Sequence, residues 1–118
     1  MFVGVDIVDI ERIKLASQRT PRFLYRVFTP REIEYCLRKK DPYPSLAVRF
    51  AAKEAFRKLH PAFSKGIAFH DVEVINTTSG SPQLSLHNKA LELKKDLGMD
   101  DLAISLSHAK YQAIATIV

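Results

Sequence analysis

The sequence predicts an α+β fold: a mainly antiparallel sheet packed with one long helix and several short ones. Three observations lead there. Apolar residues recur at helical spacing from Ser45 to about His60, the longest periodic stretch in the chain. Two strand-like segments, 102–107 and 112–118, flank His108-Ala109-Lys110-Tyr111 as the arms of a hairpin flank its turn. Elsewhere helix-like and strand-like segments interleave without a repeating strand–helix–strand unit, which argues against a parallel sheet.

Taken in order, Val3-Gly4-Val5-Asp6-Ile7-Val8 reads as a buried strand because of its β-branched residues. A short helix follows from about Asp9, with Ile10, Ile13 and Leu15 or Ala16 turned inward. Pro21 and the aromatic run Phe23, Tyr25, Phe28 predict a second short, basic helix. Thr29-Pro30-Arg31-Glu32 is a helix start: Thr29 caps, Pro30 suits the first helical position, and Glu32 completes a capping box. That helix runs to about Arg38, and Asp41-Pro42-Tyr43-Pro44 forms a loop. The long helix follows, with Leu46, Ala47, Phe50, Ala51, Ala55 and Leu59 in register and Pro61 as its stop. A strand covers about 68–75, Ser79-Gly80-Ser81-Pro82 turns the chain, and 83–86 returns as a strand. A helix over 87–97 ends at Gly98, and the two hairpin strands complete the chain.

The 118 residues suit a single domain spanning 1–118. One cysteine, Cys36, excludes an intrachain disulfide and reads as a packing residue in a reducing compartment. The N-terminus has no basic leader, and no apolar run approaches the roughly 20 residues of a bilayer span, so a soluble, cytoplasmic protein is expected. The formal charge of +5 favours anionic partners. It is concentrated: Arg12, Lys14, Arg19, Arg22, Arg26 and Arg31 are basic, and no acid lies among them.

Asp6 interrupts an apolar strand, so its carboxylate needs a cation, a hydrogen-bond network or a metal; taken alone, a structural Asp is the simpler reading. On the long helix, Glu54 and Lys58 share a face, as do Arg49 and Lys53, and alanines at 51, 52 and 55 leave room for a neighbouring backbone or ligand. By itself this is a solvated face with one Glu–Lys pair. If Asp6 and Glu54 converge, two carboxylates without a Cys/His cluster suit Mg²⁺, which takes oxygen ligands and keeps waters for phosphate oxygens.

Gly4-Val5-Asp6-Ile7-Val8-Asp9-Ile10-Glu11-Arg12 resembles the N-terminal signature of the holo-acyl-carrier-protein synthases, the short class of 4'-phosphopantetheinyl transferases. Arg49-Phe50-Ala51-Ala52-Lys53-Glu54-Ala55, followed by Lys58, resembles their second signature. Thr29-Pro30-Arg31-Glu32, Gly80-Ser81-Pro82 and Ser105-Leu106-Ser107-His108 match lesser motifs in the same order, so the resemblance spans essentially the whole chain. It implies transfer of the phosphopantetheine arm of coenzyme A to a serine of an acidic acyl carrier protein for fatty acid biosynthesis, with release of adenosine 3',5'-bisphosphate. Asp6 and Glu54 would bind Mg²⁺. Glu54 and Lys58 would be catalytic, with Lys58 steadying or protonating the leaving phosphate. Two bases for the serine stay open, Glu54 and a water on the metal. Arg49, Lys53, Gly80, Ser81, Pro82 and His108 would contact coenzyme A; Arg12, Arg22 and Arg26 would receive the carrier protein. Homotrimers with active sites at subunit boundaries are implied as well.

Simpler roles exist for the lesser positions: a turn histidine for His108, a surface turn for Gly80–Pro82, and core packing for Phe23, Tyr25 and Phe28 with the arginines facing water. A rival reading makes the basic segment a nucleic-acid surface and Asp6 and Glu54 structural. It predicts salt-sensitive RNA or DNA binding with no divalent requirement, and no nucleic-acid motif in the sequence supports it.

Overall fold

The computed structural model describes residues 1–118. The order is β1 (Gly4–Asp9), α1 (Ile10–Arg19), α2 (Phe23–Val27), α3 (Pro30–Leu37), α4 (Tyr43–Leu59), β2 (Val72–Asn76), β3 (Pro82–Leu86), α5 (Asn88–Asp96), β4 (Ile104–His108) and β5 (Gln112–Ile117). Single 3-10 turns at Pro61–Phe63 and Phe69–Asp71 lie between α4 and β2.

α4 is the element on which the others pack. Ala47, Ala51, Ala52 and Ala55 are fully buried, so a neighbouring backbone can approach closely. β1 does so at Gly4, where a Cβ would lie 2.1 Å from the Ala55 carbonyl oxygen; only glycine fits there. Ala113 and Ala115 of β5 are equally buried and serve the same close packing. α4 begins at Tyr43, two residues earlier than expected, because Pro44 is tolerated in a first turn and the Asp41 carboxylate accepts from the Tyr43 amide at 3.2 Å.

The antiparallel pairing holds, but there are two sheets rather than one: β1-β5-β4 and β2-β3. α5 and its flanking loops separate β3 from β4 in sequence, and these two edges do not hydrogen-bond. β1 is not a wholly buried strand. Gly4 and Val8 face α4, whereas Val5 and Ile7 are exposed, since the helix covers only one face of a structure with a period of two. The capping box at α3 is formed: Thr29 Oγ1 accepts from the Glu32 amide, and Glu32 Oε1 accepts from the Thr29 amide at 2.9 Å. β2 begins at Val72 instead of Ala68, because Asp71 accepts from the Ala68 amide at 3.1 Å and coils the intervening residues.

Candidate functional site

The close approach at Gly4 sets the geometry of the site. Asp6 lies two residues along β1 on the same face, so its side chain is also directed toward α4. That side chain is only 14 % exposed, and Oδ1 accepts from Lys58 Nζ at 2.8 Å. Glu54 precedes Lys58 by one helical turn and is half-buried. The Glu54–Lys58 pair expected on the helix surface is not made: Lys58 reaches Asp6, and Glu54 Oε1 lies 3.8 Å from Arg57 Nη1. Arg57 is itself held, donating to the Ile67 carbonyl at 2.9 Å and lying over the Phe69 ring at 4.6 Å. Asp6 is thus tied to α4 through Lys58, and Glu54, one helical turn before Lys58, lies beside Arg57.

The donor set there fits a hard divalent cation. Asp6 and Glu54 offer carboxylate oxygens only, and no group of three His, Cys, Asp or Glu side chains gathers anywhere in the chain. Two protein oxygens, with waters and phosphate oxygens completing the shell, is the manner in which Mg²⁺ is held.

Arg49 and Lys53 are both buried in this chain. Arg49 is 3 % exposed; it donates to the Ser45 carbonyl at 3.1 Å and to Asn76 Oδ1 at 2.6 Å, and it lies over the Tyr35 ring. Its Nε is buried without a partner. Asn76 Nδ2 donates onward to the Gly80 carbonyl at 3.1 Å, so α4 and the 77–81 turn are tied together. Gly80 occupies φ +88°, a conformation that a side chain would strain. Gly80 and Ser81 are exposed, and Pro82 opens β3.

The structure corrects the expectation for Lys53. It is 1 % exposed, and its ammonium donates to Glu32 Oε1 at 2.8 Å, the Val72 carbonyl at 2.6 Å and the Phe69 carbonyl at 3.0 Å. All three donors are used inside the protein, which leaves none for a coenzyme A phosphate. Burial pushes the Lys53 ammonium below the ordinary lysine range, and Glu32 opposes that only in part. Spacing puts Lys53 and Arg49 on one helical face, and that face turns out to be the buried one.

Lys53 belongs to a polar network that sequence reading missed. Glu32 Oε2 accepts from the Val74 amide at 3.0 Å. Thr29 Oγ1 donates to Glu73, and Glu73 Oε1 lies 3.0 Å from His87 Nε2. Burial would raise the Glu73 carboxyl, but the hydrogen bonds from Thr29 and His87, with Arg31 3.9 Å away, outweigh it and hold it below the usual carboxylate range. The capping box was the only sequence signal touching this network. Cys36 is buried and, chiefly through that burial, pushed up to about 11, so it stays a thiol.

His108 stands exposed at the end of β4, opposite Ala113 of β5, which in turn pairs with Val8. Two strand spacings therefore separate it from β1 and the Asp6 cluster within one chain. Arg12 on α1, and Arg22 and Arg26 at the two ends of α2, are exposed, and no carboxylate of the chain pairs with them. The aromatics near them divide. Phe28 is fully buried and Phe23 packs against it, but Tyr25 is 70 % exposed among the arginines and is not a core residue.

Comparison with known proteins gives a consistent result. Residues 2–114 match the family model of the 4'-phosphopantetheinyl transferase superfamily. A holo-[acyl-carrier-protein] synthase from Geobacter sulfurreducens is 46 % identical, over 98 % of this chain and 93 % of that protein. Among solved structures, the Helicobacter pylori holo-[acyl-carrier-protein] synthase in complex with coenzyme A superposes with a TM-score of 0.78 at 32 % identity, covering 98 % of this chain and 97 % of that one. The Chronobacterium ammoniagenes synthase–coenzyme A complex superposes with a TM-score of 0.84 at 30 % identity, covering 98 % and 93 %.

Proposed function

The chain belongs to the holo-[acyl-carrier-protein] synthases of the 4'-phosphopantetheinyl transferase superfamily, and from that premise we propose that it moves the phosphopantetheine arm of coenzyme A onto a serine hydroxyl of an apo acyl carrier protein. The observation that carries this reading at the site is the 2.8 Å Lys58–Asp6 ion pair, which ties the first signature on β1 to the second on α4 one helical turn from Glu54. Residues 1–118 act as one transferase domain, Mg²⁺-dependent and cytoplasmic, supplying carrier protein for fatty acid biosynthesis.

Asp6 and Glu54 would hold the metal through carboxylate oxygens. When bound, the ion supplies positive charge to the coenzyme A pyrophosphate. Lys58, 58 % exposed on a flexible stem, reaches the same phosphates and neutralises or protonates the departing adenosine 3',5'-bisphosphate. The serine oxygen forms its bond to the phosphorus bearing the pantetheine arm as the bridging P–O bond breaks, and one of the two bases left open, Glu54 or a water on the metal, would take the hydroxyl proton. Arg49 is buried and bound through Asn76 to the Gly80 turn, so it would act on the nucleotide end by holding that turn in place. Arg12, Arg22 and Arg26 attract an acidic carrier helix, with Tyr25 as an apolar contact between them.

A homotrimer is part of this reading. The outward side of β1-β5-β4 carries Val5 beside Thr116 and Ser105, and Ile7 beside Ile114 and Ser107, a small and partly apolar face suited to burial between copies. Sites at subunit boundaries would then account for the distance of His108 from Asp6. The test is direct. The protein is incubated with coenzyme A, Mg²⁺ and an apo acyl carrier protein, and the carrier's mass is measured. Gain of one phosphopantetheine, abolished by Asp6→Asn or Glu54→Gln in folded protein, is expected. Near wild-type transfer by either variant at limiting Mg²⁺ refutes the metal assignment.

A further inference from the structure

We propose that Lys58 is the resident counter-ion of Asp6, and that a divalent metal and coenzyme A displace it together, so that Lys58 couples the binding of one to the other. The inference rests on Asp6 and Glu54 being the metal ligands.

The two carboxylates are not equally free. Glu54 has only a 3.8 Å contact with Arg57, whose guanidinium is already committed to the Ile67 carbonyl and the Phe69 ring. Asp6 has a full 2.8 Å bond to an ammonium. Asp6 and Lys58 also differ in how they are held. Asp6 is fixed in β1, paired across to Ala115 of β5, and is largely shielded from water. Lys58 lies near the end of α4 and is mostly exposed, so its head can leave while its backbone stays in place.

A divalent ion on Asp6 repels an ammonium held to the same carboxylate, and more strongly in a half-buried site than in water. Metal binding alone therefore weakens the Lys58–Asp6 pair and favours return of the ammonium to solvent. The coenzyme A pyrophosphate changes that outcome, because its oxygens receive the released ammonium one helical turn from Glu54. Each ligand removes a cost from the other, and linkage makes the effect reciprocal. Lys58 thereby keeps Asp6 neutralised until the substrate that needs its charge arrives.

Mn²⁺ is the probe, its binding measured by electron paramagnetic resonance and by calorimetry, with and without coenzyme A. Lys58→Met is expected to bind Mn²⁺ without coenzyme A about two- to fivefold more tightly than wild type, the range set by loss of one partly exposed ion pair. Its coenzyme A-induced gain in Mn²⁺ affinity should shrink by a similar factor. Lys58→Arg, which keeps a cation on Asp6, should bind Mn²⁺ as wild type does. Unchanged or weaker Mn²⁺ binding by Lys58→Met, or no detectable binding by either protein, overturns the inference. Asp6→Asn separates the two claims. If it loses Mn²⁺ while Lys58→Met matches wild type, only the counter-ion role fails. If Asp6→Asn binds Mn²⁺ as wild type does, the metal reading fails with it.

Discussion

Replacing Lys53 by Met separates a structural lysine from a substrate-binding one. The side chain is 1 % exposed, and its ammonium serves Glu32, Val72 and Phe69 at once. Met fills similar volume without charge or donors. Glu32, equally buried, would then keep its amide donors from Thr29 and Val74 but lose its only cation. Breaking a buried pair from one side costs about 3–5 kcal/mol, because the remaining charge is left uncompensated. For a chain of this size that is a fall of roughly 10–20 °C in Tm. Urea unfolding at one fixed protein concentration measures it, the fixed concentration being needed if copies associate. Glu32→Gln in the same background should recover a large part of the loss, since the orphaned charge goes with it. The KM for coenzyme A of the folded fraction should stay within about twofold of wild type, as no donor of Lys53 faces outward. Stability within about 0.5 kcal/mol of wild type, together with a KM for coenzyme A raised tenfold, would refute this reasoning and return Lys53 to the phosphates.

Three further outcomes are expected. Gly4→Ala forces a Cβ against the Ala55 carbonyl and should cost about 1–3 kcal/mol by urea unfolding, with a loss of transfer beyond the loss of folded protein, since Asp6 moves with the strand; a neutral variant contradicts the packing argument. Arg22→Glu with Arg26→Glu should raise KM for the carrier protein strongly and leave KM for coenzyme A nearly unchanged, and added salt should mimic this in the wild type. Unaltered carrier kinetics accompanied by lost RNA affinity would favour the nucleic-acid reading instead. Glu73→Gln tests the pH linkage. The folded-state value of Glu73 lies below its ordinary 4.5, so its contribution is fully present above that pH and is lost as pH falls through the folded value. The stability gap between wild type and Glu73→Gln should therefore be wide at pH 7 and narrow on acidification; a gap independent of pH would contradict it.

What the sequence determined by itself was local chemistry. Thr29 and Glu32 are three residues apart, and their capping box needs nothing beyond one helical turn. The same holds for Pro61 ending α4, for Gly80 in its positive-φ turn, and for the hairpin of β4 and β5. The ordered motifs also identified the family, since they preserve residue types along the whole chain. Tertiary structure decided the partners. Lys53 meets Glu32 across 21 positions, and Lys58 meets Asp6 across 52. Helical spacing predicted Glu54 for Lys58 and an open face for Lys53, because periodicity states which residues share a face and not what that face packs against. The same gap explains β1, whose apolar composition suggested burial on both sides although α4 covers only one. It explains the two sheets as well, since β3 and β4 come into contact without a ladder of hydrogen bonds joining them. An ion pair forms where packing brings opposite charges within about 4 Å, and at Gly4 that packing rests on a missing Cβ and the Ala55 carbonyl it admits.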